Sequence, residues 1–143
     1  METRAFPIRG RTDVVTVSSQ VRRLGRNFGL DKKRATELAI VVSELASNIV
    51  KHGIQGEIVL TLGPDAPPYG EIRVDARDVG PPIRDLQLAM TDGYDDQGPI
   101  DPALLLRRGG LGTGLGAVAR FADRVEYREH EGGKTVTARF FLR

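Results

Sequence analysis

From Lys32 to His52 no glycine or proline interrupts the chain, although its 143 residues hold 17 glycines and 8 prolines. Within that stretch Leu38, Val42, Leu45 and Ile49 recur at helical spacing as one apolar stripe, with Asp31 placed to cap its start and Gly53 to close it. A long helix with one greasy face must bury that face, so the remaining chain has to supply a matching surface.

Strand-like runs supply it. EIVLTLG (57–63) and GEIRVDARD (70–78) flank GPDAPPY, a turn-rich connector suited to a hairpin. The second run alternates: Ile72, Val74 and Ala76 share one face, and Glu71, Arg73, Asp75 and Arg77 share the other, which predicts one covered and one wet face. Parity then puts Asp78 on the covered side, where a carboxylate is costly without a hydrogen-bonding partner, and this marks it as a candidate site residue. DRVEYRE (123–129) and KTVTARFFLR (134–143) form a second hairpin around an EGG turn.

Elsewhere, TDVVTV (12–17) reads as a short strand or strand end, followed by Val21, Leu24 and Phe28 at helical spacing up to Gly29. Residues 83–90 suit a short helix. Residues 91–110 form a long connection of the kind a compact domain keeps only for a function, here a lid. GGLGTGLG then opens a further helix carrying Leu115, Val118, Ala119 and Ala122. The order strand, two helices, hairpin, short helix, lid, helix, hairpin predicts an α+β fold. It is a two-layer sandwich with helices on one face of a mixed, largely antiparallel sheet, and residues 1–143 make one domain.

Composition narrows the chemistry. Without cysteine there are no disulfides, thiolate zinc sites or cysteine nucleophiles, and His52 and His130 are too few for a metal cluster, so any metal must be bound through oxygen. No apolar run approaches the roughly 20 residues of a membrane span, and the start of the chain lacks a signal-peptide pattern. The expectation is a cytoplasmic protein with no membrane partner. Formal net charge is only +2. The bases Arg22, Arg23, Arg26, Lys32, Lys33 and Arg34 do cluster against Asp31 alone, but with Phe28 as the one nearby ring and no base-reading motif the stretch reads as a solvated helix face rather than a nucleic-acid surface.

Two further features carry chemistry. Glu37, Val41, Glu44, Asn48 and Lys51 form a stripe about 110° from the apolar one, at 100° per residue. Glu44 and Asn48, four apart, meet on one surface, where a carboxylate and an amide oxygen suit a hard cation or a water to be activated. Taken alone, such a pair is ordinarily a solvated flank. Gly109, Gly110, Gly112, Gly114 and Gly116 open a helix with backbone N–H groups free for an anion, phosphate above all. No Gly-Lys-Ser/Thr follows, and the cluster comes too late for the first turn of a dinucleotide fold.

Taken in order, SELASN (43–48), the DxGPxI segment (78–83), MTDGY (90–94) and GGLGTGL (109–115) resemble the GHKL-type, histidine-kinase-like ATPases, whose N, G1 and G2 boxes these are. The resemblance runs from about Asp13 to the end. Within that superfamily the chain is most similar to the small anti-sigma-factor serine kinases of bacterial partner switching, the RsbT-type switch kinases, and RRLGRNFGL (22–30) adds to the likeness.

The resemblance implies ATP and Mg²⁺ as cofactors and a serine kinase of a stress-response type. Its acceptor would be a STAS-domain anti-sigma antagonist, its further partners a sigma factor or a PP2C-type phosphatase, with a homodimer open. Glu44 would be the general base and Asn48 would hold Mg²⁺. Asp78 would accept from the adenine amino group, and Gly80 would let the backbone pass the base. Gly110, Gly112 and Gly114 would cradle phosphate, with Arg108 as a phosphate contact.

Two positions depart from the pattern. Pro82 stands where the second glycine of DxGxG is usual, fixing φ and deleting an N–H at the start of the lid. Lys134 stands where a threonine is frequent, two residues before the inward Val136, leaving Thr135 on the opposite face. Both weaken the case for ATP and leave a binding module on the same fold as the alternative.

Overall fold

The computed structural model describes residues 2–52, 54–64, 70–82, 94–95, 98–99 and 115–142. Helix α1 spans Arg11–Phe28 and α2 spans Lys32–His52. Asp31 caps α2, its Oδ1 accepting from the Arg34 backbone N–H at 2.7 Å. The stripe Leu38, Val42, Leu45 and Ile49 is buried, and so are Ala35, Val41 and Ala46. More than one face of α2 is therefore covered. The sheet lies on one side and α1 on another, where the Ser18 hydroxyl donates to the Ala39 carbonyl at 3.0 Å.

The expected strand at 12–17 is instead the beginning of α1, and the first strand, β1, lies earlier, at Glu2–Ile8. Val14, Val17 and Val21 all lie on the buried side of α1. Each β-branched residue costs a helix only a few tenths of a kcal/mol, whereas burying a valine contributes about 1.5 kcal/mol or more, so packing decides.

Strands β2 (Gly56–Gly63), β3 (Glu71–Asp78), β6 (Arg124–His130) and β7 (Gly133–Phe141) complete a five-stranded sheet of order β1-β2-β3-β7-β6. All four of its ladders are antiparallel. A small pair, β4 (Tyr94–Asp95) with β5 (Gly98–Pro99), and the short helix α3 (Gly116–Phe121) lie between β3 and β6. The expected helix at 83–90 and most of the lid lie outside the described residues.

The inner face of the sheet carries Ile58, Leu60, Leu62, Ile72, Val74, Ala76, Val136, Ala138 and Phe140 into one core with the helices. The outer face is drier than alternation predicts. Asp75 is only 5% exposed, accepting from the Thr137 hydroxyl at 2.6 Å and from Arg73 Nε at 3.1 Å, with Val59, Thr61 and Thr135 also buried on that side.

One member of the basic stretch has a structural role. Arg34 donates to Asp123 at 2.7 Å and to Glu37 and the Phe121 carbonyl at 3.0 Å each, with its guanidinium 4.9 Å from the Phe140 ring centroid. Asp123 in turn accepts from the Phe141 N–H at 2.8 Å. Together these contacts tie the start of α2 to the end of the sheet opposite Asp78. Arg22, Arg23, Arg26, Lys32 and Lys33 remain exposed.

Candidate functional site

At the end of β3, Ile72, Val74 and Ala76 are succeeded on the inner face by Asp78, a carboxylate with 3% of its side chain exposed. It is held by two bonds, both to Oδ1. The Gly80 backbone N–H donates at 2.8 Å, and the Lys134 ammonium donates at 2.7 Å. Among the described residues nothing donates to Oδ2. Lys134 is directly opposite Asp78 in the β3–β7 ladder, and its side chain is 2% exposed. Parity on β7 follows the sequence, with Lys134 and Val136 inward and Thr135 opposite Arg77 on the outer face.

Gly133 makes that pairing possible. It adopts φ +138°, and a Cβ there would overlap the Asp78 carbonyl oxygen and stand 2.7 Å from Val79 Cα. The β6–β7 turn is thus drawn tightly against the end of β3. The glycine-rich EGG turn carries this signal in sequence, but only the register shows what it approaches.

The end of α2 meets the same corner, because the Val79 N–H donates to the Ile54 carbonyl at 2.9 Å just beyond the helix. Glu44, in the middle of α2, is 3% exposed and has a partner, so the solvated-flank reading fails for it. Asn48, one turn on, is half-buried. Gly80 is buried, whereas Pro81 and Pro82 are exposed. Arg108, Gly110, Gly112 and Gly114 lie outside the described residues. At the end of the glycine cluster, Leu115, Gly116, Ala117 and Val118 are buried, and α3 packs on α2.

The residues present fit the groups that the resemblance implies. Asp78 is an acceptor whose Oδ2 suits an exocyclic amine. Asn48 offers a hard oxygen that would suit Mg²⁺, and among the described residues no three His, Asp or Glu gather to hold a metal. A concavity of about 460 Å³ opens beside Asp78, lined by Arg9, Gly56, Arg77, Val79 and His130. Another concavity among the described residues, about 680 Å³, lies at the opposite end of the sheet between the α1–α2 turn and the end of β7, away from these groups. Among the described residues no helix is long and apolar enough to cross a membrane.

Comparison with known proteins agrees with this fold. The profile of the histidine kinase-like ATPase domain matches residues 9–140. The serine/threonine-protein kinase RsbT of Bacillus subtilis is 29% identical over 111 residues, covering 78% of this chain and 74% of that protein. The crystal structure of the RsbU and RsbW domains of a Mycobacterium tuberculosis protein superposes with a TM-score of 0.63 at 16% identity, over 98% of this chain and 32% of that one. The present chain spans about a third of that solved structure.

Proposed function

The chain belongs to the histidine kinase-like ATPase family, and from that premise we propose that it is an ATP- and Mg²⁺-dependent protein-serine kinase acting as a partner switch. The observation that supports this most is the buried Asp78, locked by Gly80 on one oxygen with the other turned to no described donor. A carboxylate in that position is costly to the fold and useful to a base. Likeness to RsbT supports the kinase reading; in this proposal the acceptor is a STAS-domain antagonist of a sigma factor, with a sigma factor or a PP2C-type phosphatase as the alternating partner.

In this reading Asp78 Oδ2 accepts from the adenine amino group while Gly80 lets the backbone pass close to the ring. Asn48 would hold Mg²⁺, which would supply charge neutralisation at the phosphates. Glu44 accepts the proton of the acceptor serine as its oxygen bonds to the γ-phosphorus and the bond to the bridging oxygen breaks, releasing ADP. Arg108, Gly110, Gly112 and Gly114 contribute the phosphate contacts.

Lys134 favours a second reading, because an ammonium on Asp78 competes with a base for the carboxylate. A catalytically silent module of the same fold would then sequester the same partners. Labelled ATP with a STAS-domain protein as acceptor separates the two. Wild type should transfer phosphate to serine, and Glu44→Gln should do so about 10²–10⁴-fold more slowly with ATP affinity little changed. No transfer by wild type would leave the binding module, and equal transfer by both would remove Glu44 from the mechanism.

A further inference from the structure

Lys134 has no assigned role, and its burial needs a reason. Taking an ammonium out of water costs several kcal/mol, and an apolar residue of similar volume commonly serves a fold as well or better. Register does not need the pair. β3 is matched to β7 along all eight of its residues, and Asp78–Lys134 is only the last pair, at the open end of the sheet. Nor does Asp78 need a second bond to be oriented, since the Gly80 N–H already fixes Oδ1.

Among the described residues the ammonium donates one bond, to Asp78 Oδ1, out of the three it can make. The pair therefore presents an acceptor, Oδ2, next to a donor, the Lys134 N–H. Its complement is a ligand edge with a donor beside an acceptor. Adenine has that edge in its N6 amino group and ring N1.

Resting on the ATP reading above, we propose that Lys134 is a base-reading residue that donates to adenine N1 while Asp78 accepts from N6. Guanine carries the opposite order, with O6 in place of the amino group and N1–H in place of the ring acceptor, so in the same pose it would set acceptor against Asp78 and donor against Lys134, and the charged pair discriminates against GTP.

Calorimetric titration of the full chain with Mg·ATP, Mg·GTP and 1-deaza-ATP, in which a C–H replaces N1, tests this. A lost bond to a charged donor is worth about 10- to 100-fold in affinity, so 1-deaza-ATP should bind weaker than ATP by that factor, and GTP, mismatched to both groups, at least as weakly. In Lys134→Met, ATP and 1-deaza-ATP should bind alike. Equal binding of ATP and 1-deaza-ATP to wild type would overturn the role of Lys134 while leaving the ATP reading intact, whether or not the variant folds. A wild-type preference for ATP that persists unchanged in folded Lys134→Met would overturn it too. Absence of binding by any of the three nucleotides would overturn the ATP reading and this one with it.

Discussion

Replacing Gly133 by alanine should be among the most damaging single-methyl additions in the molecule. The new Cβ would overlap the Asp78 carbonyl oxygen and stand 2.7 Å from Val79 Cα and 2.9 Å from the Asp78 carbonyl carbon. All three are backbone atoms, so no side-chain rotation relieves the contact. To that is added an unfavourable backbone, since φ is +138°. Left-handed conformations cost an L-residue about 1–2 kcal/mol, and overpacking costs a further 1–3 kcal/mol or so, giving about 2–5 kcal/mol in all.

For a chain of this size each kcal/mol shifts Tm by roughly 3 °C, so the drop should be about 6–15 °C. Two controls divide the sum. Gly29→Ala carries the positive φ of 122° but meets nothing within 4 Å, and it should lose only the strain, about 1–2 kcal/mol. Gly132→Ala, with His130 Nδ1 at 3.8 Å as its nearest neighbour, should stay within about 0.5 kcal/mol of wild type. Urea denaturation followed by circular dichroism measures all three. A Gly133→Ala protein no less stable than Gly29→Ala would refute the close approach of the turn to β3, and with it the placing of Lys134 against Asp78.

Asp78→Ala should destabilise the fold by about 3–5 kcal/mol because it strands a buried ammonium, whereas Asp78→Leu with Lys134→Met should recover most of that loss without recovering nucleotide binding. Denaturation curves of both variants, beside a nucleotide titration, check this. Arg34→Ala should cost about 1.5–3 kcal/mol through its charge-assisted bonds to Asp123 and Glu37, read as a lower urea midpoint with an unchanged m-value. The bond from Arg139 holds the Glu126 carboxyl below its ordinary value. A depressed folded pKa contributes stability that is complete above the unfolded value, about 4.3, and lost as pH falls through the folded one. Tm measured between pH 6 and 3 should therefore fall less steeply at the acid end for Arg139→Met than for wild type.

How much of this the sequence discloses depends on whether local rules and packing agree. They agree at α2, where cap, apolar stripe and absence of breakers all point one way, and along β3, where alternation delivers Asp78 to the inner face. They disagree at 12–17, where β-branched residues suggest a strand and the burial of Val14, Val17 and Val21 makes a helix. Strand β1 was hidden because its pattern is mostly exposed and includes Pro7, which an edge strand tolerates. Alternation also failed to disclose the buried Asp75: Arg73 is its same-face neighbour along β3, but the Thr137 hydroxyl reaches it only through the long-range β3–β7 register.

The site shows the same division. Motif spacing and strand parity single out Glu44, Asn48, Asp78 and Gly80 as candidates, and the structure buries Glu44, Asp78 and Gly80 and half-buries Asn48. The partner of Asp78 was not legible, although its identity was in view: Lys134 reads as a lost threonine until the β3–β7 register sets it across from the carboxylate.

Binding of Mg·ATP to the purified full chain, measured by calorimetry with Asp78→Asn in parallel, tests the central claim most directly. Wild type should bind with a Kd below the millimolar range. Asp78→Asn should weaken ATP and ADP alike by about tenfold or more, since the lost carboxylate faces the base rather than the phosphates. Wild type that binds no ATP at millimolar concentration, or that binds it as tightly with asparagine at position 78, would contradict the account.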